Sequence, residues 1–267
     1  MYKQKDIYKR HIIKIYTCDR KWRTMRTKIL YEDEDIIVIH KPAGFATQTS
    51  HIGQQDVVSE IKNYLAEKMK KQPYIGLINR LDQPVEGIVL LAKNEMAAKE
   101  LSEQIQKNQM KKSYYAAIQG KPQRKEGTLV DYLRKNTKTN LSKVISLAEG
   151  QRPSREEKRA ELTYQCIGTV ENSLEIGMNC VKYTMSLMDI QLKTGRHHQI
   201  RVQMSHAGMP LLGDSKYGNK ESIQLSQTLR LRNVALCAYR LLFQHPVTKE
   251  EMNIVIEPEN QLLHITL

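Results

Sequence analysis

The chain has 267 residues, of which 40% are hydrophobic and 27% charged, a composition typical of a globular protein large enough to bury a core. Its 42 Lys and Arg outnumber 29 Asp and Glu, and the resulting charge of +13 favours nucleic acid as a partner, with an anionic membrane surface second. No apolar run approaches the roughly 18 residues that a membrane helix needs, and the polar start lacks the apolar core of a secretory signal.

The basic residues are concentrated in two places. Residues 1–28 contain ten of them and only two acidic residues, so this segment alone carries +8. We predict a basic arm over residues 1–27, which is either a disordered tail or a phosphate-binding segment, followed by one domain over residues 28–267. The second basic stretch, residues 134–159, contains two turn-forming runs and is predicted as a long loop that either contacts substrate or is only solvated.

Alternating and apolar segments predict short strands joined by tight turns. The strands are expected at residues 29–31, 36–39, 87–92, 113–118, 161–166, 183–192 and 234–243. Apolar residues at helical spacing predict helices at residues 59–71 and 94–110, with Asn94 as the N-cap of the second. Met69 and Met96 are among the side chains expected to face the core. This pattern predicts an α+β fold with a largely antiparallel sheet.

Two segments, a loop and a strand, carry side chains that could take part in catalysis or binding. Arg80 and Asp82 lie two residues apart in a polar loop before the strand at 87–92, where Asp82 could be a nucleophile or base and Arg80 could hold a phosphate or a base edge. The alternative is an exposed Asp paired with a nearby Lys. In the strand at 113–118, alternation puts Tyr114 on one face and Tyr115 on the other, so one of them faces the core or a cleft.

A third segment, residues 192–208, turns at a glycine into a short helix. Arg201 on the inner half of this helix needs an acidic partner or must extend to solvent. Arg196, at the helix N-terminus, is a candidate phosphate ligand. Three histidines accompany it, His197, His198 and His206. Adjacent histidines cannot both face one point on a helix, and the four cysteines are widely separated, so we predict no metal site, no disulfide framework and reduced thiols in a cytoplasm.

Together these segments resemble the RluA-type pseudouridine synthases. The family stretch H-R-L-D-x-x-T-S-G resembles residues 79–87, K-x-Y-x-A-x-V-x-G resembles residues 112–120, and T-G-R-x-H-Q-I-R-x-H resembles residues 194–203. Flanking segments at 32–44, 213–218 and 243–247 look like further family segments, so the resemblance extends over about residues 28–258 in the same order. Residues 1–28 are too short for the N-terminal RNA-binding domain of the S4 type that many members carry.

The resemblance implies a pseudouridine synthase fold, that is, a largely antiparallel mixed sheet with flanking helices and a central cleft. It implies isomerisation of specific uridines in structured RNA, ribosomal RNA first and transfer RNA second, without a cofactor. The reduced thiols favour a cytoplasmic enzyme, and a monomer is the default expectation. Asp82 would attack the flipped uridine at C1′ or C6, and Arg201 would be the cation that keeps this carboxylate ionised. Tyr114 would lie against the base and could accept a proton from the sugar.

The remaining motif residues are expected to bind substrate. Arg80 would hold the flipped nucleotide or the gap it leaves, Arg196 a phosphate, and Leu81 and His198 would complete the substrate-binding set. The chain departs from the family pattern at Asn79, Val85, Glu86, His197 and Gln203. Glu86 would add a second anion near Asp82 unless it points away or meets a lysine.

Two other interpretations remain open at this level. The chain could be a catalytically inactive RNA-binding protein that retains the synthase fold, although retention of Asp82, Tyr114 and Arg201 argues against lost activity. A membrane-surface protein is the second alternative, but the sequence contains no amphipathic anchor to support it.

Overall fold

The computed structural model describes residues 25–49, 53–70, 72–148, 150–176 and 179–264. The strands are β1 (Lys28–Glu32), β2 (Ile36–Lys41), β3 (Gly76–Leu77), β4 (Glu86–Ala92), β5 (Lys111–Gln119), β6 (Glu126–Asn136), β7 (Leu141–Ile145), β8 (Glu157–Ile176), β9 (Asn179–Leu192), β10 (Leu236–Gln244) and β11 (Glu251–Val255). The helices are α1 (Val57–Met69), α2 (Glu95–Gln106), α3 (Gln199–His206) and α4 (Lys220–Thr228), followed by a 3₁₀ turn at Gln261–Leu263. Among the described residues, no helix is long and apolar enough to cross a membrane.

One mixed sheet organises the domain. Its strand order is β1-β2-β4-β10-β5-β9-β8-β6-β7, with β3 paired to β4 and β11 paired to β10. Every described pairing is antiparallel except the one between β4 and β10, which is parallel. The predicted α+β fold with a largely antiparallel mixed sheet is therefore confirmed.

Side chains on the two faces of the sheet enter different cores, as the two-residue period of a strand requires. In β2, Ile37 and Ile39 pack with α1 and α3 on one face, which we call the cleft face. Ile36 and Val38 pack with α2 on the opposite face. Both faces of β2 and β4 are covered, which is why these two strands are continuous apolar runs.

The parallel contact between β4 and β10 depends on a glycine. Gly87 has φ +137°, and a Cβ at this position would lie 2.5 Å from the backbone nitrogen of Ala238 in β10. Only a residue without a side chain allows the two backbones to approach this closely. This junction fixes where the loop before β4, which carries Asp82, leaves the sheet.

The helices follow the predicted caps but differ in which side chains they bury. Asn94 accepts a hydrogen bond from the backbone of Ala97, so its role as N-cap of α2 is confirmed. The prediction that Met69 and Met96 face the core is wrong, because their exposed fractions are 43% and 64%. In α2 the buried stripe runs through Ala97 and Leu101, and Met96 lies about 100° away from Ala97 around the helix axis.

The basic stretch at 134–159 is not a single long loop. Its first part forms the end of β6 and all of β7, which pair as a hairpin, and its last residues begin β8. Along β6, exposed residues alternate with residues that are mostly only partly buried, which is typical of a strand solvated on one face. This pattern weakens the evidence for a strand in the sequence. The hairpin projects basic side chains beside the cleft, including Lys135.

The described end of the predicted arm is packed against the domain. The backbone nitrogens of Arg26 and Thr27 donate to the Glu60 carboxylate on α1, at 2.8 and 3.1 Å. Met25 packs against the core of the cleft face, and the Arg26 guanidinium lies 4.4 Å from the centre of the Phe45 ring. The rest of the predicted arm, residues 1–24, lies outside the described residues.

Candidate active site

A cleft of about 730 Å³ opens on the cleft face, between the loop before β4, the start of β5, the end of β9 and α3. This volume is within the usual range of small-molecule sites, about 300–1,000 Å³. All seven side chains that the sequence predicts for the site line this cleft, namely Arg80, Leu81, Asp82, Tyr114, Arg196, His198 and Arg201. The structure therefore brings together residues from three separate segments.

The loop that carries Asp82 is held by two polar side chains that are buried behind the loop. Asn79 donates to the carbonyl of Ile88 at 3.0 Å and accepts from the backbone nitrogen of Leu90 at 2.8 Å, so it ties the loop to β4. Thr47 donates to the carbonyl of Leu81 at 2.7 Å and accepts from its backbone nitrogen at 3.2 Å. The Asp82 side chain itself remains 26% exposed, so it can be reached from the cleft.

Lys41 supports the same loop from inside the protein. Its side chain is fully buried, and Nζ donates to the carbonyls of Pro42, Phe45 and Gln83 at 3.0, 2.7 and 3.2 Å. Burial lowers the pKa of Lys41 to about 7, although the carboxylates of Asp82 and Glu86 act in the opposite direction. The sequence did not single out this lysine, whose hydrogen bonds join the turn after β2 to the Asp82 loop.

Arg201 contacts Asp82 and a second carboxylate that the sequence analysis left without a role. Its Nη1 lies 3.0 Å from Asp82 Oδ2, while its Nε and Nη2 donate to the two oxygens of Asp214 at 2.7 and 2.8 Å. The predicted contact between Asp82 and Arg201 is therefore present. Both Arg201 and Asp214 are almost fully buried. Burial lowers the pKa of Arg201, but the hydrogen bonds and charge of Asp214, with those of Asp82, outweigh this and raise it.

His198 is the other basic side chain next to Asp82. Its Nε2 lies 3.6 Å from Asp82 Oδ2. Burial lowers the pKa of His198 to about 4; the charge of Asp82 opposes this shift, whereas Arg201, His197 and Lys216 add to it. The imidazole is thus neutral at physiological pH, and Arg201 is the cation of the pair with Asp82.

Tyr114 forms part of the cleft wall and of the core at once. It is 6% exposed, and its neighbours on β5 confirm the predicted alternation, with Ala116 on the cleft face and Tyr115 on the opposite face. Burial raises the pKa of Tyr114, and the charge of Asp82 raises it further. A phenol with a raised pKa stays protonated at neutral pH, so it carries no phenolate oxygen ready to accept a proton.

The residues that differ from the family motif contact other parts of the domain. The carboxylate of Glu86 accepts hydrogen bonds from the backbone nitrogens of Glu259 and Asn260, at 3.3 and 3.2 Å. His197 Nδ1 lies 2.9 Å from Ser142 Oγ on β7, and Gln203 donates to Asp131 on β6 at 2.7 Å. Val85 packs in the core of the cleft face. These side chains fasten the strands and loops around the cleft.

Basic side chains surround the mouth of the cleft. They are Arg80, Lys112, Lys135, Lys193 and Arg196. Arg196 also donates from Nε to the carbonyl of Arg159 at 3.0 Å, which holds its guanidinium near the start of β8. Such a rim attracts phosphate groups and guides a polyanion toward the carboxylate in the cleft.

Two groups of potential metal ligands lie outside the cleft among the described residues. They are Asp33 with Asp35 and His245, and His40 with Glu86 and Glu259. In the first, Asp33 Oδ2 contacts His245 Nε2 at 2.8 Å and accepts from the Tyr31 hydroxyl. In the second, Lys28 Nζ lies 2.7 Å from Glu259 Oε1. The protein's own donors thus already contact carboxylates in both groups.

Comparison with known proteins agrees with this geometry. Residues 35–206 match the sequence profile of a family described as RNA pseudouridylate synthase. A ribosomal large subunit pseudouridine synthase C from Yersinia pestis is 30% identical over 239 residues, which cover 90% of this chain and 68% of that protein. A tRNA pseudouridine synthase C from Haemophilus ducreyi is 30% identical over 234 residues, which cover 86% of this chain and 90% of that protein.

Solved structures show the same fold. The human RNA pseudouridylate synthase domain containing 4 superposes with a TM-score of 0.65 and 25% identity, over 86% of this chain and 88% of that one. The human RNA pseudouridylate synthase domain containing 1 superposes with a TM-score of 0.64 at 20% identity, over 89% and 86%.

Proposed function

The chain belongs to the RNA pseudouridylate synthase family, and from this premise we propose that its cleft converts uridine to pseudouridine in RNA with Asp82 as the catalytic carboxylate. One observation carries the proposal. Asp82 lies 3.0 Å from a buried guanidinium in an open cleft whose wall includes Tyr114. A carboxylate placed in this way can form a transient bond to an electrophilic carbon without a cofactor.

The reaction follows from the chemistry of the two isomers. Asp82 attacks C1′ or C6 of the uridine, the bond between C1′ and N1 breaks, and the base turns. C5 then bonds to C1′ as the carboxylate is released. The proton lost from C5 is balanced by the proton gained at N1, so the reaction is a net isomerisation that needs no oxidant or reductant.

Arg201 contributes by holding the carboxylate in place and balancing its charge. Asp214 accepts two hydrogen bonds from the other edge of the guanidinium. Arg201 therefore cannot turn away from Asp82 without leaving the buried carboxylate of Asp214 unpaired. The guanidinium therefore presents Nη1 to Asp82 in one orientation. Such preorganisation avoids the cost of arranging the charge during the reaction.

The target base must leave the RNA stack to reach Asp82, and this costs a few kcal/mol. Contact with an aromatic ring returns about 1–3 kcal/mol per base, and we assign this contact to Tyr114. Leu81 and His198 complete the surroundings of the base, while Arg80 and Arg196 hold the nucleotide and a phosphate at the rim. We propose ribosomal RNA as the first substrate and transfer RNA as the second, acted on in the cytoplasm by a monomer.

The substitution Asp82→Asn tests the chemistry. We expect it to abolish pseudouridine formation, measured as tritium release from RNA labelled at C5 of uridine, while RNA affinity in a filter-binding assay stays close to wild type. The control is Glu34→Gln, which removes an exposed carboxylate in the turn between β1 and β2 and should change neither measurement. Retained isomerisation in Asp82→Asn would contradict nucleophilic catalysis by this residue.

Wild-type protein that binds RNA but releases no tritium from any substrate would favour the alternative of an inactive RNA-binding protein. Mapping pseudouridine in total RNA from cells with and without this gene then separates the two substrate classes. A missing pseudouridine in ribosomal RNA supports the first, and one in transfer RNA supports the second.

A further inference from the structure

The backbone at His198 is unusual for a residue that is not glycine. His198 precedes α3 with φ 54° and ψ 25°, in the left-handed region, and its side chain makes no capping hydrogen bond to the helix. Side chains other than glycine occupy this region at an energetic cost that the surrounding structure must offset. In this conformation the imidazole lines the cleft beside Asp82.

The imidazole is held by three contacts. Its Nδ1 lies 2.7 Å from the Tyr217 hydroxyl oxygen, and its ring stacks on His197 with centroids 3.7 Å apart. Its Nε2 faces Asp82 Oδ2 at 3.6 Å. The Tyr217 hydroxyl in turn accepts a hydrogen bond from the backbone nitrogen of Ser142 on β7 at 2.8 Å. A chain of polar contacts thus runs from the β6–β7 hairpin to the carboxylate.

Electrostatics decides which ring nitrogen carries the hydrogen. If Nδ1 carried it, the lone pair of Nε2 would face the negative Oδ2 of Asp82, which is repulsive. If Tyr217 donates its hydroxyl hydrogen to Nδ1, the hydrogen on Nε2 points at the carboxylate instead. The second arrangement is favourable for Asp82 and leaves Tyr217 free to accept from Ser142.

Resting on the proposed function, we infer that His198 is a positioning residue that donates from Nε2 to Asp82 Oδ2, with its tautomer set by Tyr217. The separation of 3.6 Å is longer than a full hydrogen bond, but catalytic hydrogen bonds of free enzymes are often long and shorten when substrate binds. The lowered pKa of His198 is consistent with a neutral imidazole that donates through one nitrogen.

The same geometry assigns different tasks to the two oxygens of Asp82. Arg201 and His198 both approach Oδ2, whereas no hydrogen bond to Oδ1 occurs within the described part of the chain. With Oδ2 anchored by two donors, Oδ1 is the oxygen that attacks the nucleotide. Fixing a nucleophile in this way lowers the entropy lost on the path to the transition state.

Two substitutions of His198 separate positioning from a structural role. His198→Gln places an amide donor close to the position of Nε2, so it keeps the contact with Asp82 but loses the partner of Tyr217. His198→Asn places its amide close to Nδ1 and tolerates the left-handed backbone, so it keeps the Tyr217 contact and the fold but loses the donor to Asp82. Tyr217→Phe removes the hydroxyl that sets the tautomer.

We expect His198→Asn to lower kcat about 10- to 100-fold with KM for RNA near wild type, by analogy with the loss on removing the partner that orients a metal-binding side chain. His198→Gln should recover part of kcat despite a lower thermal stability. Tyr217→Phe should lower kcat and add little to the reduction in His198→Asn, because both act through one hydrogen bond. A purely structural role predicts the opposite order, with His198→Asn near wild type and His198→Gln the weaker variant, and this order would overturn the inference.

A readout independent of activity is the nitrogen NMR spectrum of the protein with labelled histidines. The wild type should show His198 as the tautomer with hydrogen on Nε2, and Tyr217→Phe should move it toward a mixture. Hydrogen on Nδ1 in the wild type would overturn the inference. If the wild type has the expected tautomer but forms no pseudouridine, the proposed function fails and the assigned hydrogen-bond geometry stands.

Discussion

Single residues in the cleft acquire their properties from partners that are distant in the chain. Arg201 needs an acidic partner because it lies on the inner side of a short helix, and the structure supplies Asp214 as well as Asp82. The family resemblance indicated Asp82 as one partner, but nothing in the sequence indicated Asp214. Asp214 lies in a segment that looked like part of the family pattern, and only its bidentate contact reveals what it does.

The neutral state of His198 has a consequence for stability that can be measured. The pKa of His198 is lowered from 6.5 to about 4, so the folded state binds fewer protons than the unfolded state between these pH values. Stability is therefore complete above pH 6.5 and is lost as the pH falls toward 4. Relative to His198→Asn, the wild type should lose up to about 3 kcal/mol of unfolding free energy across this window.

Urea denaturation of both proteins at pH 7.5, 6, 5 and 4 measures this difference. Groups that titrate alike in the two proteins cancel from it, including most surface carboxylates. A difference that stays constant with pH would mean that the imidazole takes up its proton as easily in the folded state as in the unfolded chain.

At the scale of elements, the sequence predicted the strands, turns and caps that are specified by residues next to one another in the chain. The β1–β2 hairpin, the cap at Asn94 and the two faces of β5 all appear where the sequence predicts them. The β6–β7 hairpin was missed, since β6 is held by pairing with β8 and β7 by pairing with β6, rather than by their own apolar residues. Met96 was misplaced because the buried stripe of α2 depends on what packs against it.

The parallel junction of β4 and β10 predicts a sharp difference between two glycines. Gly87→Ala should destabilise the protein by about 3 kcal/mol or more, because its Cβ would meet the backbone of β10 in a conformation that only glycine adopts readily. Gly120→Ala is the matched control. Gly120 also has positive φ, +80°, but nothing lies within 4 Å of its Cβ position, so the cost should be about 1 kcal/mol.

Thermal and urea unfolding of both variants measure these costs. Because Gly87 sits at the base of the loop that carries Asp82, its variant should also lose isomerisation more than stability alone explains. Equal destabilisation by the two substitutions would contradict the importance of the close approach.

At the scale of the whole molecule, the distribution of basic side chains and the position of the cleft indicate where RNA binds. Basic side chains from the Asp82 loop, from β5 and β6 and from the turn before α3 converge on one mouth, although they are spread widely along the chain. Their shared location is a product of the sheet order. These side chains concentrate positive charge at the cleft, which attracts a polyanion there.

Deletion of residues 1–24 tests the proposed contribution of the N-terminal segment. It removes eight basic and two acidic residues and leaves intact the packed residues that begin at Met25. We expect weaker RNA binding and a flatter dependence of log K on log salt, by about 0.7–0.9 for each phosphate that this segment neutralises in the full-length protein. The control is the double variant Lys121→Gln/Lys249→Gln, whose exposed lysines pair with Glu171 and Glu100 away from the cleft. An unchanged salt slope would mean that residues 1–24 do not contact RNA.

The sequence by itself determined the class of fold, the family and seven of the residues that line the cleft, because these depend on local periodicity and on motifs that occur in a fixed order. Only the tertiary structure decided how these residues act on one another. Asp82 and Arg201 are 119 positions apart, and Asp214, Tyr217 and Lys41 become partners of the site only through contacts between distant segments. Contacts between distant segments leave no local pattern in a sequence, because they are specified jointly by all the strands that bring them together.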